Sequence, residues 1–71
     1  MKDIKKIAGQ NIRRFRIKKG LTQVELADKA GITYKYLQKI EGKNPPNLKI
    51  DTIAKISSTL GVDFAKIVNN R

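Results

Sequence analysis

Leu21 to Glu41 reads LTQVELADKAGITYKYLQKIE, and every other part of the chain has to fit around it. Thr22 followed by Glu25 is a capping box: the Thr22 hydroxyl accepts from the Glu25 amide, and the Glu25 carboxylate reaches back to the Thr22 amide. Leu21 and Leu26 have the spacing of a hydrophobic staple across that cap. Val24, Leu26, Ala27 and Ala30 then form an apolar stripe at helical spacing, with Asp28 and Lys29 outward. Gly31 stops the helix where a left-handed residue is cheapest. Thr33 is placed to cap a second helix that buries Leu37 and Ile40, with Ile32 and Leu37 as its staple. Its other side carries Tyr34, Lys35, Gln38 and Lys39. The stretch is a helix, a glycine-bearing turn and a second helix with a basic face.

Upstream, Asp3 is positioned to cap a helix reaching about Lys19, with Ile4, Ile7, Ala8, Ile12 and Phe15 on one side and Gly20 as the stop. Gly9 inside it costs about 1 kcal/mol relative to alanine, so a start near Ile7 with residues 1–6 frayed is equally open. Ile17 falls off the stripe and is expected at the surface. Downstream, GKNPPNLK (residues 42–49) is a loop, because adjacent prolines forbid a regular helix. Ile50 to about Leu60 is a further helix, with Ile50, Ile53, Ile56, Ser57 and Leu60 as inward candidates. Gly61 closes it, and Asp63 is placed to cap a short last helix containing Phe64, Ile67 and Val68.

The chain has 71 residues, no cysteine and no histidine. That length suits one small domain, residues 1–71, near the lower limit for an unstapled core. Without Cys or His there is no disulfide framework, no thiolate or imidazole metal site, and no nucleophile–base pair, so neither catalysis nor a metal or cofactor is expected. No apolar run approaches a membrane span and no signal-peptide pattern is visible, so a cytoplasmic protein is expected. The net charge is +10 and unevenly spread. Residues 1–43 hold twelve Lys/Arg against four Asp/Glu (+8), and residues 44–71 hold four against two (+2). The excess therefore sits on the half bearing the two-helix stretch, which suggests a polyanionic partner, foremost nucleic acid. Solubility alone is the plainer explanation of a surface lysine excess.

With Thr22-Gln23, Leu26-Ala27, Gly31, Leu37 and Ile40-Glu41 in place, the stretch resembles the helix-turn-helix of the lambda-repressor-like family (Cro and phage-repressor type, also called XRE type). Gly9, Ile12, Phe15-Arg16 and Gly20-Leu21 match that family's first helix, and Ile53, Ile56 and Leu60-Gly61-Val62 its fourth. The resemblance covers about residues 8 to 68. It implies an all-α fold, a compact five-helix lambda-repressor-like DNA-binding domain with its helix-turn-helix at about 22–41. One departure is that Gly42 follows Glu41 directly, while the stretch from Glu41 to Thr52 is about one residue longer than is usual in the family.

The resemblance also implies a function, sequence-specific binding of double-stranded DNA by a transcriptional regulator of repressor or controller type. The helix 33–41 would enter the major groove, where each base pair shows a distinct donor and acceptor pattern. Carried over by position, the base-reading sites fall on Tyr34, Lys35 and Lys39, with Gln38 a further candidate. Gln23, Thr33, Tyr36, Lys43 and Asn44 are the phosphate candidates, a job distinct from reading sequence. Tyr36 has a second reading, as a shield for the small core. Arg13, Arg14, Lys18 and Lys19 are either nonspecific attraction or a solvated face. Arg16 and Glu41 match a structural ion pair between the first helix and the end of the recognition helix. A homodimer, at least on DNA, is implied, with Phe64, Ile67 and Val68 either its seam or part of the monomer core.

Two rivals come from other classes. A protein-interaction module, such as an antitoxin, can use the same fold. A basic amphipathic binder of membrane surfaces is disfavoured because the apolar faces are needed for the core. No small-molecule ligand is expected.

Overall fold

The structure, a computed structural model, is described for residues 3–69. Five helices follow in order: α1 (Ile4–Lys18), α2 (Gln23–Ala30), α3 (Tyr34–Ile40), α4 (Ile50–Leu60) and α5 (Phe64–Val68), with no strand among the described residues. α1 packs against α4 and α5, α2 against α3 and α4, and α4 against α5. Ala8, Ile12, Leu26, Ala27, Ala30, Leu37, Ile40, Ile53, Ile56, Leu60 and Ile67 form one buried cluster.

Local chemistry sets the ends of these helices. Asp3 caps α1, its Oδ1 accepting from the amides of Lys5 at 3.0 Å and Lys6 at 3.4 Å. The helix therefore starts at Ile4 and not near Ile7, and residues 4–6 are helical. The Thr22–Glu25 box is complete in both directions: Glu25 N donates to Thr22 Oγ1 (3.1 Å) and Thr22 N to Glu25 Oε1 (2.9 Å). Thr33 Oγ1 accepts from Tyr36 N at 3.1 Å and starts α3. Gly31 takes a φ of +73°, which places the Ile32 amide on the Ala27 carbonyl and turns the chain between α2 and α3.

The capping box gives a pH signature. The Glu25 carboxyl is held below its ordinary value, first by the bond from the Thr22 amide and then by the Thr22 hydroxyl, with desolvation opposing and Lys29 adding the least. A carboxyl with a depressed folded-state pKa stabilises the fold above its unfolded value, about 4.3, and that contribution is lost as pH falls through the folded value. Thr22→Ala is expected to cost about 1 kcal/mol at neutral pH. The Thr22 amide, the larger cause, survives that substitution, so a urea-denaturation series taken from pH 6 to 3 should lose only the hydroxyl's share of its acid limb.

Several side chains depart from the helical-stripe reading. Val24 is 56% exposed. At about 100° per residue it lies roughly 110° from the centre of the arc formed by Leu26, Ala27 and Ala30. Ile50 is 75% exposed. It opens α4 roughly 70° round from the centre of the buried stripe. Ile4, at the start of α1, is also exposed, whereas the exposure of Ile17 is the one its place off the stripe implies. Asp63 stands at the cap position of α5 but its side chain makes no capping bond; the turn is held by Lys66 N donating to the Asp63 carbonyl at 2.9 Å.

Two features escaped the sequence. Asn11 is buried on α1, and its Nδ2 donates to the carbonyls of Ile67 (2.8 Å) and Asn69 (2.7 Å), tying the end of α5 to the first helix. Pro45, inside the loop, is buried while its neighbours Lys43 and Asn44 are exposed.

Candidate nucleic-acid interface

α3 is short, and three contacts at its two ends fix where it points. At its start Thr33 supplies the cap. At its end the Glu41 carboxylate, only 2% exposed, accepts from Arg16 Nε at 2.8 Å and from Arg16 Nη2 at 2.9 Å. A third donor, Gln23 Nε2 from the first turn of α2, reaches the same carboxylate at 3.0 Å. Arg16 Nη1 also donates to the Leu21 carbonyl at 2.8 Å, so α1, the turn before α2, α2 and the end of α3 meet at one guanidinium–carboxylate pair. Two parallel N–H···O bonds fix orientation as well as distance. Gly9 completes the seat: a side chain there would overlap the carbonyl oxygen of Ile40, so α1 approaches the end of α3 as closely as backbone permits.

The face this seat presents is that of Tyr34, Lys35, Gln38 and Lys39, all exposed and with no acidic side chain among them. Gln38 Nε2 donates to the Tyr34 hydroxyl oxygen at 2.9 Å, one turn back along the helix. Lys43 and Asn44 are exposed in the loop that follows, and Thr33 is exposed at the helix start. Tyr36 is half-buried and packs against the core. Gln23 is half-buried, with a side-chain N–H already committed to Glu41. On the outer side of α1, Arg13, Lys18 and Lys19 are exposed, while Arg14 bonds Asn11 Oδ1 (3.2 Å) and lies over the Phe15 ring at 5.3 Å.

The three candidate dimer residues separate. Ile67 has no exposed surface: it belongs to the monomer core, drawn in where Asn11 holds its carbonyl, and is withdrawn from any seam. Phe64 is 39% exposed and Val68 is half-buried against the core. Among the described residues there is no group of His, Cys, Asp or Glu that could hold a metal ion, and no helix long and apolar enough to cross a membrane.

Two helices set across a glycine turn, with the second held from behind and its basic face free, define a helix-turn-helix module. The chain matches the helix-turn-helix family over residues 12–67. It is 36% identical over 63 residues to the HTH-type transcriptional regulator SinR of Bacillus licheniformis, covering 89% of this chain and 57% of that protein. This chain thus spans little more than half the length of that relative. Among solved structures, the hypothetical transcription factor NHTF from Neisseria superposes with a TM-score of 0.88 at 31% identity, covering 94% of this chain and 76% of that one. The biofilm master regulator SinR, solved in complex with DNA, superposes with a TM-score of 0.83 at 35% identity, covering 87% of this chain and 98% of that one. The chain belongs to the lambda-repressor-like, XRE-type helix-turn-helix family.

Proposed function

We propose that this protein is a cytoplasmic transcriptional regulator, of repressor or controller type, that binds double-stranded DNA by inserting α3 into the major groove. The observation that carries the reading is the exposed Tyr34, Lys35, Gln38 and Lys39 face on a helix whose rear is locked by Arg16 and Glu41. SinR, a relative of similar fold, has been solved in complex with DNA, which supports DNA as the partner here. Lys35 and Lys39 are donors only, and so suit the O6 and N7 acceptors of guanine. Thr33, Lys43 and Asn44 supply phosphate contacts beside α3, Tyr36 offers its hydroxyl at the rim, and Gln23 contributes from the first turn of α2. Two copies would occupy half-sites about 34 Å apart, with Phe64 and Val68 as the apolar residues of α5 left for a seam.

Selection from a pool of random duplex DNA tests the reading. The expected product is a two-part operator with half-sites about one helical turn apart. Lys35→Ala should then relax specificity at one base pair per half-site by roughly 1–3 kcal/mol and leave the melting temperature unchanged. A pool that emerges unenriched overturns the regulator and points to a protein partner for the same face. Sedimentation of the purified operator complex reads the stoichiometry, for which two chains per duplex is expected.

A further inference from the structure

The hydrogen bond between Gln38 and Tyr34 does more than decorate the outward face of α3. At about 100° per residue, the four outward side chains span roughly 140° of arc, with Tyr34 and Lys39 at the edges and Gln38 and Lys35 between them. Gln38 is therefore central to the face that meets the groove. Its Nε2 donates to the Tyr34 hydroxyl oxygen at 2.9 Å, so its amide is already turned toward the N-terminal end of α3. A free glutamine has three rotatable bonds to order on binding, and this one has part of that freedom removed beforehand.

The bond also fixes which atoms are left. One N–H of Nε2 is used and one remains, together with Oε1, so the amide keeps a donor and an acceptor on adjoining groups. In the major groove adenine shows the complementary pair, the N7 acceptor and the N6 donor. Guanine shows two acceptors, O6 and N7, and would set O6 against the glutamine Oε1. Because Tyr34 accepts in this bond, its own proton remains free for a neighbouring acceptor, such as thymine O4 or a phosphate oxygen.

We propose that Tyr34 and Gln38 act as one reading unit, in which Tyr34 holds the Gln38 amide so that Gln38 selects an adenine at one position of each half-site. The unit rests on the reading of α3 as the major-groove helix. It assigns Gln38 the specificity and makes Tyr34 the positioning residue. The half-site then combines an adenine, read by Gln38, with guanines read by Lys35 and Lys39.

The experiment is a double-mutant cycle on the selected operator, with wild type, Tyr34→Phe, Gln38→Ala and the double variant. Each is titrated against the operator and against a duplex changed from A·T to G·C at one position. Tyr34→Phe removes the hydroxyl, the accepting oxygen together with its proton, from an exposed ring, and thermal melting checks that each variant stays folded. The expected result is one position at which wild type prefers adenine by about 10-fold or more, within the range of a bidentate pair. Gln38→Ala should abolish that preference, Tyr34→Phe should cut it at least about threefold, and Tyr34→Phe should change nothing further there once Gln38 is alanine. An adenine preference untouched by Tyr34→Phe, an equal loss with and without Gln38, or a base other than adenine at the Gln38-dependent position overturns the unit and leaves the regulator standing. A wild type with no base preference anywhere overturns both.

Discussion

Arg16→Ala should unfold this protein far more readily than the loss of one ion pair at a surface would suggest. The Glu41 carboxylate is 2% exposed, and Arg16 supplies two of the three hydrogen bonds it accepts, at 2.8 and 2.9 Å. Removing the arginine leaves a buried anion with only the neutral Gln23 amide, at 3.0 Å. Breaking one side of a buried pair costs about 3–5 kcal/mol, a large share of the 5–15 kcal/mol that holds a typical domain together. For a chain of this size each kcal/mol moves the melting temperature by about 4–8 °C, so a fall of well over 10 °C is expected in a thermal melt. DNA affinity should fall with it, since the pair fixes the end of α3. A second variant separates charge from packing. With Arg16→Met and Glu41→Met together no charge is stranded, and much of the lost stability should return. A melting temperature unchanged by Arg16→Ala would show that the pair does not hold the helix.

Gly9→Ala is expected to destabilise where helix propensity says the opposite. Glycine inside a helix is worse than alanine by about 1 kcal/mol, so the substitution would ordinarily help. Here the new Cβ would overlap the Ile40 carbonyl oxygen and lie 3.3 Å from its carbonyl carbon. Those are backbone atoms at the end of α3, and no rotamer change moves them aside. α1 has to shift outward, pulling Arg16 from Glu41 two turns further along the same helix. Overpacking of this kind costs about 1–3 kcal/mol, and the coupling to the ion pair places the effect at the upper end. Urea denaturation reads it directly. A gain in stability from Gly9→Ala would mean that α1 and α3 are not seated against each other as described.

The parts of this fold that were legible in the sequence are those whose causes are local. Thr22 and Glu25 are three residues apart and bond each other, so spacing alone identifies the start of α2. Gly31 and Gly61 end α2 and α4 with positive φ, as helix-stopping glycines do. The seat of α3 is different. Arg16 and Glu41 are 25 residues apart, and no periodicity pairs them; only the resemblance of the whole stretch to a known family does. Asn11 and Ile67 are 56 apart, and a polar residue on α1 gives no hint that it will cap α5 from inside the core. The sequence leaves Ile67 open between a dimer seam and the monomer core, because α5 has five residues, too few for a stripe to say which side faces inward. Ile50 and Val24 show the converse limit, since both are apolar, both sit near a stripe, and neither reaches the core. On the outward face of α3 the residue types were plain, but the Tyr34–Gln38 bond depends on rotamers that a sequence does not display.

The most direct test of the central claim, that α3 reads bases, is the ratio of two affinities measured at low and at high salt. One duplex carries the selected operator and the other the same bases scrambled. Charge alone, +10 over 71 residues, binds both duplexes alike and lets go of both as salt rises. Base reading adds a difference that survives, because hydrogen bonds to base edges release no counterions. The operator should bind at least about 1,000-fold tighter than the scrambled duplex, with that ratio largely kept at the higher salt. Equal affinities that collapse together as salt is added would contradict it.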